Sequence, residues 1–195
     1  NRKGFSLMSL TEISPKVRAL SREVEAGLHE VFTSFDSVAE DCTLKVMSAF
    51  HEFRVSEACF AGTTGYGYND LGRDTLDKIY ARIFGAEAAL VRIGFVNGTH
   101  AIATALFAVC KPGDTLLSVT GTPYDTLQCT IGTSGNGDGS LKFYGVDYAQ
   151  VNLLPNGEPN LEGIKKAASD SKVKAVMIQR SRGYGNRRAF GIDDI

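Results

Sequence analysis

The sequence of 195 residues is short of three things, and each absence removes a class of partner or chemistry. It has no surplus of charge: 21 Lys and Arg face 22 Asp and Glu, a formal net charge of -1, so there is no electrostatic case for nucleic acid or an anionic membrane as a partner. It has little cysteine. Cys42, Cys59, Cys110 and Cys129 are far apart and lack metal-ligand or redox spacing, which points to free thiols in a reducing, cytoplasmic compartment and to no metal site. It has no apolar run of membrane-spanning length, and its first residues lack the apolar core of a secretion signal. A start at Asn1 rather than Met leaves room for a removed upstream segment. There is no internal repeat, no dinucleotide fingerprint and no Walker loop.

What is present suits a globular chain. With 43% hydrophobic residues it can bury a core, and its length fits one domain or one and a half. Ser14-Pro15 reads as a cap and first-turn proline, followed by a helical stripe of Val17, Leu20, Val24, Leu28, Val31 and Phe32. A second helix is expected from about Ser37 to Phe53, with Val38, Leu44, Met47 and Phe50 facing inward. Both precede any strand signal, so residues 1–55 read as an N-terminal helical arm. A glycine-rich loop containing Tyr66 and Tyr68 follows, then a helix opened by Asp74 and stopped by Gly85. Beyond it, strands are expected at 88–91, 115–119, 141–146 and 173–179. Helices are expected after Asn97, at 124–130, and at 161–168 behind the cap Asn160. Strands alternating with helices predict an α/β fold, a mostly parallel sheet with helices on both faces.

In such sheets ligands bind beyond the carboxyl ends of the strands, which nominates residues 94–100, 120–125, 147–152 and 180–188. The most informative stretch is Val96-Asn97-Gly98-Thr99-His100-Ala101-Ile102, which leads into a helix whose apolar face is Ile102, Ala105, Leu106 and Val109. Asn97 is a good N-cap. The N–H groups of Gly98, Thr99 and His100 then point outward at the positive end of the helix dipole, where a phosphate is held well. An ordinary capped turn has the same pattern, so the motif gains weight only from its neighbours: the aromatic Tyr124 and the arginines Arg180 and Arg182. Those two arginines read equally as solvated charges or as anion ligands.

Three longer stretches carry a family resemblance. Tyr66-Gly67-Tyr68-Asn69-Asp70-Leu71-Gly72-Arg73-Asp74-Thr75-Leu76, Phe84-Gly85-Ala86-Glu87-Ala88-Ala89-Leu90-Val91-Arg92 and Asn97-Gly98-Thr99-His100-Ala101-Ile102 occur in that order. Gly121-Thr122-Pro123-Tyr124-Asp125-Thr126-Leu127 and Gln179-Arg180-Ser181-Arg182-Gly183-Tyr184 extend the match over nearly the whole chain. The series resembles the pyridoxal 5'-phosphate (PLP) enzymes of the aluminium resistance group, relatives of cystathionine lyases and methionine gamma-lyases within fold type I. The resemblance implies that residues 56–195 are part of a PLP-binding large domain of a fold-type I transferase, preceded by the helical arm. It implies that Asn97, Gly98, Thr99 and His100 form the phosphate site. It implies that Tyr124 stacks on the pyridine ring and assists proton transfer, while Arg180 and Arg182 are the lower-ranking candidates for substrate binding. Tyr68 and Arg73, with Tyr66 the other tyrosine of that segment, lie where the wider family reaches into a neighbouring subunit's phosphate site. A homodimer or homotetramer with a shared active site is thereby expected.

The implied reaction is β- or γ-elimination of a thiol from a sulfur-containing amino acid. Asn97 departs from the small serine expected before Gly-Thr-His. Ile195 precedes the segments where the family keeps the aspartate that pairs with the pyridine nitrogen and the Schiff-base lysine, so the chain by itself is expected to be inactive. Ser169-Asp170-Ser171-Lys172 has a Ser-x-x-Lys spacing but sits at a helix-to-strand turn. The alternative from another class is a non-catalytic product that binds a phosphate compound or pairs with a full-length subunit. An aminotransferase-like reaction on the same fold is a lesser one.

Overall fold

The computed structural model describes residues 13–66, 68 and 70–195, and the chain divides into two compact units, Asn1–Arg92 and Ile93–Ile195. The first is helical. Helix α1, Pro15–Gly27, starts where the sequence says: the Ser14 side chain accepts the Val17 N–H and Pro15 takes the first turn. It stops earlier than the apolar stripe implies. Gly27 ends it and the Leu28 N–H turns back to the Glu25 carbonyl, after which α2, His29–Glu52, runs without interruption through the expected gap before Ser37. Thr33 and Ser34 do not break it because their hydroxyls bond back to the His29 and Val31 carbonyls. The stripe is not an inward face in this chain: Val38, Leu44 and Met47 are exposed, and Ala49 is the buried residue of α2. Periodicity marks which residues share a face, not what the face meets.

Helix α3, Leu71–Phe84, opens at Asp70 rather than Asp74, since the Asp70 carboxylate accepts the Arg73 N–H; Gly85, at φ 63°, ends it as expected. Residues 88–91 are not a strand. The Val91 N–H is taken by Asp77 Oδ1 at 2.8 Å, and Arg92 Nη1 reaches both Asp77 oxygens at 2.8 and 2.9 Å, so a side chain on α3 takes the place of a ladder partner. The Arg92 hydrogen bond, against a smaller opposing effect of burial, holds the Asp77 carboxyl below its ordinary value. A group depressed on folding stabilises above its unfolded pKa and loses that contribution as pH falls through the folded one. Asp77→Asn is therefore expected to cost about 1 kcal/mol near neutrality, a charged hydrogen bond discounted for part exposure. The gap to the unchanged chain should narrow progressively in thermal melts as pH falls below the ordinary Asp value of 3.8; a gap that does not narrow would refute the assignment.

The second unit contains the sheet. Helix α4, Gly98–Val109, leads through the turn at Gly113 (φ 92°) into β1, Thr115–Ser118. Helix α5, Asp125–Ile131, connects it to β2, Asp147–Gln150, and α6, Leu161–Ala168, connects β2 to β3, Val173–Met177. The order is β2-β1-β3, all parallel, with a register irregularity between Thr115 and Leu116 against β3. The central β1 is buried throughout. Leu116 joins Leu106, Cys110, Leu127, Ile131, Leu141 and Val146 in one core cluster. The strand expected at 141–146 is instead a series of turns: Leu141 and Lys142 donate to Thr130 and Ile131 carbonyls, and Gly145 and Val146 to Lys142 and Leu141. Its apolar residues are core plugs rather than ladder members, and the strand begins at Asp147.

Candidate active site

The carboxyl ends of the three strands are tied together. The Val119 N–H donates to the Met177 carbonyl, Gly121 to Val151, and Gln179 to Thr120 Oγ1 at 3.0 Å. The Gln179 side chain then spans the gap: its Oε1 accepts the Tyr124 N–H at 2.8 Å and its Nε2 donates to the Ser181 carbonyl at 3.1 Å. One amide side chain thereby fixes where α5 begins and where the chain leaves β3.

The start of α4 has the expected cap, with one amide fewer to offer. Asn97 Oδ1 accepts the His100 N–H at 2.8 Å, and the Gly98 and Thr99 N–H groups are left without an acceptor among the described residues. Nothing lies within 4 Å of the position a Gly98 Cβ would take. Thr99 Oγ1 is 3.1 Å from Thr126 Oγ1, which brings the starts of α4 and α5 together. Two amides and two hydroxyls thus form a small donor set at a helix N-terminus. The His100 ring packs edge-on against Phe95, centroids 5.6 Å apart, as a helix-end residue does.

Tyr124 is half-buried and packs on the core cluster. Its hydroxyl donates to the Tyr184 hydroxyl at 3.2 Å, and the two rings are stacked with centroids 5.5 Å apart and planes 25° apart. The hydrogen bond to Tyr184, reinforced by the neighbouring phenol's charge on ionisation, raises the Tyr124 pKa. Between these residues and the β1 and β3 exits lies a cleft of about 380 Å³, lined also by Thr122, Asp125, Gln179 and Arg182.

The four arginines after β3, Arg180, Arg182, Arg187 and Arg188, have distinct jobs. Arg187 is a scaffold: Nη2 donates to the Gln179 and Ser181 carbonyls at 2.8 Å each, Nη1 to that of Arg188 at 2.8 Å, and its guanidinium lies 4.6 Å from the Phe190 ring centroid. Arg188 is held by Glu158 and Asp194, and it keeps the Asp194 carboxyl down at about 2. Arg180 Nε donates to the Phe190 carbonyl. Arg182 lines the cleft with its guanidinium uncommitted among the described residues. Sequence reasoning ranked Arg180 and Arg182 alike; the carbonyl contact is what separates them. It gave no role to Gln179, Thr126, Tyr184 or Arg187, and only the glycines flanking Tyr184 signal anything unusual. Tyr68 and Arg73 lie in the first unit, Tyr68 86% exposed and Arg73 paired with Asp74 at 3.1 Å.

Residues 17–195 match the methionine gamma-lyase family. The chain belongs to the methionine gamma-lyase family. Within it, the chain is 43% identical to a candidate cystathionine beta-lyase involved in aluminium resistance from Clostridium acetobutylicum, with a TM-score of 0.88 over 93% of this chain and 43% of that one. It is 48% identical to a carbon-sulfur lyase involved in aluminium resistance from Clostridium novyi NT, with a TM-score of 0.86 and the same coverage. The Bacillus subtilis protein YnbB is 42% identical over 180 residues. The chain spans about two fifths of the length of these relatives, 42% of YnbB. No helix among the described residues is long and apolar enough to cross a membrane.

Proposed function

We propose that the chain is the first part of a PLP-dependent carbon-sulfur lyase of fold type I, acting on a sulfur-containing amino acid by β- or γ-elimination. The observation that carries this is the juxtaposition of the unclaimed Gly98 and Thr99 amides with Thr126 and, two residues before it, the aromatic Tyr124. The donor set fits a phosphate ester: two amides at a helix start, two hydroxyls, and open space where any residue but glycine at position 98 would place a Cβ.

When bound, PLP supplies an electron sink for the charge left as the Cα proton of the amino acid departs. The chain's own residues do the rest of what this part contributes. Gly98 and Thr99 hold the phosphate, with Asn97 and His100 forming the capped turn that presents them. Tyr124 offers its ring for stacking, and its hydroxyl assists proton transfer. Arg182, ahead of Arg180, receives the substrate carboxylate. Tyr68 and Arg73 complete the phosphate site of a neighbouring subunit in a homodimer or homotetramer. Residues 1–55 act as the arm and 56–195 as the cofactor-binding portion, in the cytoplasm.

The test is absorbance in the near-ultraviolet and visible range after adding PLP and removing the excess. It is made on this chain and on a version extended to the gene's own stop codon. A band that borohydride converts to a covalent adduct only in the extended protein is the expected result. No adduct in the extended protein would end the lyase reading and leave a non-catalytic phosphate-binding product in its place.

A further inference from the structure

The Tyr124 site already holds an aromatic ring. Tyr124 is fixed from behind, by the Gln179 side-chain oxygen Oε1 on its N–H and by the core cluster against its side chain. Tyr184 is fixed by little: it is 86% exposed, and its contacts in the second unit are the stack on Tyr124 and the single hydroxyl bond. Tyr184 therefore lies on the solvent side of Tyr124, where a ligand ring arriving from the cleft would come to rest.

The flanking chain has the parts of a short hinge between anchors. Gly183 sits at φ 56°, in the left-handed region, and a Cβ there would stand 3.0 Å from Tyr124 Cδ2, so a glycine is needed for the close approach. Gly185 follows, where a Cβ would stand 3.0 Å from the Arg182 carbonyl oxygen. On either side the backbone is clamped, by Gln179 at the exit of β3 and by the Arg187 guanidinium on the carbonyls of Gln179, Ser181 and Arg188. Displacing Tyr184 breaks one aromatic contact and one phenol hydrogen bond and leaves both clamps in place.

We propose that Tyr184 is a specificity-determining residue of this site: its ring occupies the stacking position on Tyr124, and a planar phosphate-bearing ligand gains that position by displacing it. This rests on the reading of Tyr124 as the stacking residue. A ligand without a flat ring, such as inorganic phosphate, has no use for the stacking position and pays nothing for the exchange. Occupancy by Tyr184 thus weakens ring ligands selectively, because their apparent affinity is reduced by the fraction of molecules in which the position is closed.

The probe is pyridoxine 5'-phosphate, which has the ring and the phosphate but no aldehyde to react with surface lysines. In equilibrium dialysis, Tyr184→Ala is expected to bind it about two- to tenfold more tightly than the unchanged 195-residue chain, the worth of a stacked aromatic pair, with inorganic phosphate binding equally to both. Equal or weaker binding of the probe by Tyr184→Ala would overturn the proposal while leaving the Tyr124 site in place. Failure of both chains to bind the probe would overturn the reading of the site and the proposal together. A second measurement uses the absence of tryptophan from the sequence: Tyr184→Trp introduces a single tryptophan, excited selectively over the tyrosines, whose emission should shift as the probe saturates the site. Unchanged emission at saturation would overturn the displacement.

Discussion

Leu116→Ala is expected to lower the unfolding free energy by about 2–5 kcal/mol, a large fraction of what a domain of this size has to lose. Leu116 is 1% exposed at the second position of the central strand, with β2 and β3 bonded on either side. Its side chain contributes to a cluster drawn from α4, α5 and the 141–146 turns, so the surrounding elements are each fixed elsewhere and cannot close over the void. The cost is then both the lost transfer of the side chain and the cavity it leaves. Urea denaturation of the variant beside Leu161→Ala, whose parent residue is 72% exposed, provides the measurement. The surface variant should move stability by less than about 0.5 kcal/mol. A Leu116→Ala loss below about 1 kcal/mol would mean that the cluster is not packed as described.

Gly132→Ala is expected to cost about 2–4 kcal/mol, more than any other glycine-to-alanine change in the 132–140 turn. Two effects coincide there. The residue ends α5 at φ 94°, a conformation that costs a residue with a Cβ about 1 kcal/mol or more. The added Cβ would also stand 2.9 Å from Lys142 Cβ and 3.0 Å from Ser140 Cβ, and would press on Ser140 Oγ. Ser140 cannot give way easily: it is 2% exposed, its hydroxyl donates to the Gly137 carbonyl at 2.6 Å, and the same oxygen accepts the Phe143 N–H at 3.1 Å. Gly137→Ala is the companion variant, since Gly137 has φ 80° but nothing within 4 Å of the new Cβ. The difference between the two melts isolates the steric part, and equal losses would show that conformation alone decides.

What could be read from the sequence was what is encoded locally. The Asn97 and Asn160 caps, the Pro15 start and the Gly85 stop each act within a few residues, and each stands where its neighbours said it would. The alternation that gave a parallel sheet is of the same kind. Where the reading failed, a distant partner had decided. Residues 88–91 have strand composition, but Asp77, fourteen positions before Val91, takes the amide. Residues 141–146 are apolar enough for a strand, yet Thr130 and Ile131 claim their amides from the end of α5. In the candidate site the sequence marked the helix start and Tyr124 and passed over Arg187. One arginine in a polar stretch gives no sign that its guanidinium will gather four backbone carbonyls.

The bonds that tie the strand exits together bear on when the site comes into being. Tyr124 is joined to Gln179 across 55 positions, Gln179 to Thr120 across 59, and Tyr124 to Tyr184 across 60. Contacts of such separation carry a loop-closure penalty that local helices do not, and they form late. During synthesis the Asn97 cap that presents the Gly98 and Thr99 amides can assemble within a few residues of its own emergence, whereas the Tyr124 N–H has no acceptor until Gln179, at the exit of β3, has left the ribosome. The anion-binding half of the site is thus available to a nascent chain well before the aromatic half, and the order of translation separates the two in time.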